Sequence, residues 1–328
     1  MELRSGRRTR SSQHQRGSSC GGGPDRISAL PDDLLLLILA RLPCITTAAR
    51  TSVLSRRWSG SGGLWTRLHE IVFRDVPFPS LEAALGRVGS PVVSLLEIRV
   101  PYHWSPSPVP DPAGVNSLLC AAARLTPEKF VFALPGNLNS WRSIDVDMSS
   151  FHRATSIELD SCLLFLRASD SVYFPALETL SLSGKIPDLD PLLSCCASLR
   201  TLRLSSVVHD RGYLRVSSAL LQELVVDRSS KRTGRVSIVT PVLKQLTMSF
   251  MASDVSISVL APMLEKVNWD CSYCTYDRPS TVFGLWRLED VRLQTAERQG
   301  QLPSLEICAS AVRPFAPAQF TAKLTPRY

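Results

Sequence analysis

Apolar residues recur on a fixed beat along most of this chain. The template apolar-x-x-apolar-x-apolar fits Leu177-Leu180-Leu182, Leu199-Leu202-Leu204, Leu221-Leu224-Val226, Leu243-Leu246-Met248, Leu264-Val267-Trp269 and Leu288-Val291-Leu293. First positions are separated by 22, 22, 22, 21 and 24 residues. Looser copies precede them: Leu68-Ile71-Phe73, Val93-Leu96-Ile98, Pro127-Phe130-Phe132 and Ala154-Ile157-Leu159. Their third positions lie 25, 34 and 27 residues apart, and 23 from Leu182. The longest gap holds Pro101, Pro106, Pro108, Pro110 and Pro112, which read as a surface loop. Alternation predicts a short strand in each copy, ten in all, with its second and third apolar positions on one side. Residues 81–88, 116–125 and 188–197 are expected to return as helix or irregular backbone. One such unit cannot cover its own apolar edge, so the units must stack into a parallel sheet and a curved solenoid of mixed α/β class. A weak last strand is expected near Leu305 and Ile307.

The pattern changes before residue 66. Pro31 opens a helix, because its missing N–H would be unpaired there anyway. Asp32 and Asp33 sit in the first turn, where negative charge suits the helix dipole. Leu34, Leu35, Ile38 and Leu42 follow at helical spacing and are expected to share an apolar face. Leu36, Leu37 and Leu39 carry apolar surface round the rest of the cylinder. Pro43 ends the run. A second helix is expected over 46–58, with Ala49, Val53 and Leu54 inward. Two short helices apolar almost all round need a cover, from this chain or from a partner.

The order Leu30-Pro31-x-x-Leu34-x-x-x-Ile38-Leu39-x-x-Leu42-Pro43, then Val53-Leu54-Ser55-Arg56-Arg57-Trp58, resembles the F-box. That resemblance implies a small helical module docking onto the Skp-type adaptor of a cullin-based ubiquitin ligase. Leu30, Pro31, Leu34, Leu35, Ile38, Leu42, Val53, Leu54 and Trp58 would form or brace the interface. After Trp58 the chain departs from the family's basic helical continuation and runs Ser59-Gly60-Ser61-Gly62-Gly63. Three glycines would cost a helix roughly 3 kcal/mol, so the second helix should stop near Trp58. The periodic region resembles leucine-rich repeats of an irregular, plant type. The family's Asn ladder is missing, its place held by Lys185, Val207, Ser229, Met251 and Ser272, so the turns must be satisfied otherwise. The combined layout is similar to plant F-box/leucine-rich-repeat proteins, many of which carry a further C-terminal domain that is not expected here. The expected organisation is a disordered basic tail (1–24), an F-box helical module (25–65), a leucine-rich-repeat solenoid (66–310) and a C-terminal tail (311–328).

Net charge is +8, and residues 1–26 supply half of it, through Arg4, Arg7, Arg8, Arg10, Arg16 and Arg26 less Glu2 and Asp25. The tail is Ser/Gly/Arg-rich and cannot bury apolar surface. Nucleic acid is not an expected partner, because the body has no stripe of interleaved basic and aromatic residues. No stretch reaches the length of a membrane span, and neither a signal-peptide core nor an Asn-x-Ser/Thr sequon occurs. The nine cysteines read as reduced and mostly buried, which with the charge pattern leads to an expected nuclear or cytoplasmic location. Cys271-Ser272-Tyr273-Cys274 has the spacing of half a zinc site but no second half, so no metal and no cofactor are expected. Nucleophile elbows, phosphate loops, zinc-protease motifs and dinucleotide fingerprints are absent, so no catalytic residue is expected.

What remains is binding. Residues flanking the ladder positions point to the concave face, which is polar and of mixed charge. Arg203, Lys266, Asn268 and Arg292 are the candidate contacts for a target protein. Two functions follow: substrate receptor of an SCF-type ligase, or a protein-binding scaffold whose F-box has degenerated.

Overall fold

The structure is a computed structural model and describes residues 30–51, 64–74, 76–89, 92–101, 110–134, 144–161, 163–167, 172–186, 189–208, 213–229, 235–251, 256–273, 292–294 and 304–311. Val53, Leu54, Trp58, the glycine stretch after Trp58, the tail 1–24 and nearly all of 311–328 lie outside the described residues, as do Leu288, Val291 and Cys274.

Two short helices lead: α1 (Asp32–Ala40) and α2 (Ile45–Arg50). A 3-10 turn at Leu64–Arg67 follows. Then comes a parallel sheet whose successive strands are β1 (Glu70–Phe73), β2 (Leu95–Arg99), β3 (Lys129–Ala133), β5 (Ser156–Asp160), β7 (Thr179–Lys185), β8 (Thr201–Val208), β10 (Glu223–Ser229), β12 (Gln245–Met251), β14 (Lys266–Tyr273) and β16 (Ser304–Ala311). The segments returning between them are of two kinds. Early returns use helices α3 (Phe78–Leu85), α4 (Pro112–Arg124) and α5 (Asp190–Ser194), together with a parallel strand pair, β4 (Ile144–Asp147) and β6 (Leu164–Arg167). Later returns are strands: β9 (Tyr213–Ser217), β11 (Arg235–Val239), β13 (Ser256–Leu260) and β15 (Arg292–Gln294), which form a second, four-stranded parallel sheet.

The register follows the sequence beat. Ile71 pairs with Leu96, Leu96 with Phe130, Phe130 with Ile157, Ile157 with Leu180, and so on through Leu202, Leu224, Leu246 and Val267. Each of these second-position residues is at most 3% exposed. At roughly 1.5–3 kcal/mol per buried aliphatic or aromatic side chain, this ladder is the largest source of stability in the sheet. Phe130 and Phe151 stack at 4.6 Å between ring centroids and widen the core beneath β3.

One part of the ladder differs from expectation. Leu293 lies in β15, which pairs with β13 in the second sheet, not with β14. The partner of β14 is β16, with Leu305 opposite Val267 and Ile307 opposite Trp269. The stretch that looked like a weak last strand is therefore a full eight-residue member of the main sheet.

A backbone hydrogen-bond ladder runs across the start of the strands, at the opposite end from the missing Asn ladder. The Thr155 carbonyl accepts from both Glu178 N and Thr179 N at 2.9 and 3.0 Å. Glu178 O does the same for Arg200 and Thr201, Arg200 O for Gln222 and Glu223, Gln222 O for Lys244 and Gln245, and Lys244 O for Glu265 and Lys266. Each repeat thus satisfies two amides of the next without a side chain. A side chain serves at β4: Asn116 of α4 accepts from Asp147 N at 3.0 Å and donates to Asp145 O at 3.4 Å, covering that strand's edge.

Gly184 marks where β7 slips register against β8. Its φ is +115°, and a Cβ there would collide with the Ser161 carbonyl oxygen. Only glycine lets the β5–β6 connection cross so close to the sheet.

Candidate functional site

Helix α1 starts as the sequence implies. Pro31 holds extended backbone (φ −59°, ψ 153°), its carbonyl accepts from Leu35 N at 3.1 Å, and Asp32 and Asp33 occupy the first turn. No side chain caps the helix, so its order depends on packing.

That packing divides its leucines. Leu35 and Leu39, one turn apart, are 0% and 2% exposed and join the core of the solenoid. Leu34, Leu37 and Ile38, spaced i, i+3 and i+4, are 46%, 61% and 44% exposed. Pro31 and Arg41 extend this exposed stripe at either end, while Leu30, Leu36 and Leu42 are half-buried at its margins. The expected single face of Leu34, Leu35, Ile38 and Leu42 is therefore corrected. Leu35 turns inward and braces the helix, Leu34 and Ile38 turn outward, and Leu42 sits at the border. Leu37 belongs to the outward stripe and was not among the expected contacts, although its spacing from Leu34 was readable.

Helix α2 begins at Cys44, whose Sγ lies 2.8 Å from Thr46 Oγ1 and 3.2 Å from Thr47 Oγ1. Burial pushes the Cys44 thiol up, but the hydrogen bonds around it outweigh burial and hold it below the ordinary thiol value. Ile45 and Ala48 face inward; Ala49, expected inward, is only half-buried. Against the solenoid, α2 packs on β1 and both helices pack on the 3-10 turn, with an exposed Arg67–Asp32 ion pair at 3.6 Å alongside.

The face of the main sheet opposite its buried ladder is the second candidate. Arg203 and Asn268 sit on it, and both are engaged with a neighbouring repeat: Arg203 with Glu223 at 3.1 Å, Asn268 donating to Thr247 Oγ1 at 3.4 Å. Lys266 is exposed on the same face, opposite Gln245. Arg292 is not there; it lies in β15, opposite Ser258 on the second sheet. The strongest charge cluster falls nearer the helices, on repeats from which no contact was expected. Glu97 Oε1 accepts from Arg99 at 2.8 Å and lies 3.1 Å from an Arg74 guanidinium nitrogen. The Glu97 side chain is only 12% exposed, while Arg74 and Arg99 are half exposed. The hydrogen bond to Glu97 raises the Arg99 pKa. Glu97 occupies the same template position as Arg203 and Asn268, between the second and third apolar residues, while Arg74 and Arg99 each follow the third.

Among the described residues no group of three or more His, Cys, Asp or Glu is placed to hold a metal ion, and no helix is long and apolar enough to cross a membrane. Cys196, beside α5, is pushed up to about 12, mainly by burial, and stays a neutral thiol.

A helical knob with an outward apolar stripe is joined to a parallel repeat sheet. Comparison assigns the knob to a known domain. Residues 27–60 match the F-box domain, and the chain carries it. The chain is similar to an FBD-associated F-box protein of Arabidopsis thaliana, 25% identical over 260 residues, which is 75% of this chain and 55% of that protein. It is also similar to an Arabidopsis F-box protein (30% identical over 200 residues, 56% of this chain and 35% of that one). A third similarity is to an Arabidopsis F-box/FBD/LRR-repeat protein, 29% identical over 233 residues, 68% of this chain and 48% of that one. The chain spans about half or less of these relatives' lengths. No solved structure matches it. The helical module and the repeat sheet together give this chain the layout of a plant F-box/leucine-rich-repeat protein. F-box domains generally bind Skp1-type adaptors, and F-box proteins are generally non-catalytic.

Proposed function

We propose that this chain is the substrate receptor of an SCF-type cullin ubiquitin ligase. The outward stripe of α1 docks on the Skp-type adaptor, and the concave face of the repeats holds a target protein. The chain supplies no chemistry. It raises the effective concentration of target lysines near a ubiquitin-conjugating enzyme. It works in the nucleus, the cytoplasm or both.

One observation carries the reading: Leu34, Leu37 and Ile38 stand exposed inside the F-box match, while Leu35 and Leu39 of the same helix are sealed. Co-expression of the full chain with a Skp-type adaptor and a cullin tests it. The wild type should bring down both, and Leu34→Asp should bring down neither. Equal recovery of the two proteins' complexes refutes the reading.

A scaffold with a degenerate F-box is the second reading, favoured by Gly60, Gly62 and Gly63 after Trp58. It predicts no adaptor recovery from the wild type while the chain still captures a partner through its repeats.

A further inference from the structure

We propose that the helical module is also the N-terminal cap of the solenoid, so that α1, α2 and the first repeats open as one cooperative unit. The inference concerns the inner face of the module and stands whether or not the outer face meets an adaptor.

The main sheet begins at β1, whose one strand neighbour among the described residues is β2. A terminal repeat in a stacked array has half its apolar edge unfilled, and such ends need a cap. Yet Ile71 and Phe73 of β1 are 1% and 2% exposed, as dry as Leu202 in mid-array at 0%. The helical module lies at that end. Leu35, Leu39, Ile45 and Ala48 belong to the same buried cluster as Leu64, Leu68, Ile71 and Phe73. The contact order is α1 on the 3-10 turn, α2 on both the turn and β1.

The dependence runs both ways. Helix α1 has nine residues and α2 six, and neither has a side-chain cap. Helices of that length do not persist in water without tertiary packing. So β1 needs the helices to stay dry, and the helices need β1 to stay helical.

Native-state hydrogen exchange on the full chain tests this. Along a denaturant series, amides of α1 and of β1 and β2 should lose protection in one step. In Leu35→Ala, β1 amides should exchange about tenfold faster or more, with β10 and β12 within about twofold of wild type. Ile38→Ala should change neither region. The proposal is overturned if α1 opens while β1 keeps its wild-type protection, in the variant or in the wild-type series. The wild-type series decides the question even where Leu35→Ala does not fold.

Discussion

Helix α1 and the repeat ladder are built from the same residue, yet they dispose of it differently. From Leu96 in β2 to Leu246 in β12, every second-position ladder residue is covered by its own chain. In α1, two leucines are covered and three apolar residues, Leu34, Leu37 and Ile38, are left out. The ladder is complete as it stands, while the helix is complete on one side only. A scattered exposed leucine needs no explanation, but three at helical spacing on one short helix form a patch. The contrast separates α1 from the ladder more sharply than hydrophobicity does, because the ladder is equally apolar.

The contrast can be broken at its strongest point first. Leu202→Ala, at 0% exposure between two occupied repeats, should cost about 2–5 kcal/mol and lower Tm in thermal unfolding. A cost under about 0.5 kcal/mol would mean that the ladder is not the core. Gly184→Ala should cost about 1–3 kcal/mol by forcing a side chain into a left-handed backbone against the Ser161 carbonyl, measured in the same way. Thr126 tests the opposite sign. It ends α4 with φ 44°, a conformation costly for a β-branched residue, so Thr126→Gly should stabilise by about 1 kcal/mol. Smallest of all is the change expected in α1's outer face. Leu37→Asp should leave stability within about 0.5 kcal/mol of wild type, because the side chain is already in water.

Much of this was legible in sequence, for an identifiable reason. A 22-residue beat fixes both which residues are buried and which strands are neighbours, so Leu180, Leu202, Leu224 and Leu246 were placed correctly relative to one another. The second sheet was missed although its signal was present. Leu214 and Val216 alternate with polar residues, and Val236 and Ile238 repeat the pattern 22 residues later. Attention to one ladder hid a second of the same period, and that error carried Arg292 to the wrong sheet. The faces of α1 were only half legible. A helix with six consecutive apolar residues, 34–39, has no polar stripe to mark its outside, so spacing alone could not tell Leu35 from Leu34. The choice is made by packing of α1 against the 3-10 turn at Leu64–Arg67. Glu97, Arg74 and Arg99 were readable from the repeat register, but their pairing depends on strand adjacency, which only the fold supplies.

The central claim is that the outward stripe of α1 exists to meet another protein. Its direct test is the affinity of the full chain for a Skp-type adaptor, measured for wild type and for Leu34→Asp/Leu37→Asp, with Tm recorded on both. Losing two apolar contacts should weaken binding by about a hundredfold or more, since each is worth roughly 1.5–3 kcal/mol, while Tm stays put. Unchanged affinity in a folded double variant would contradict the claim.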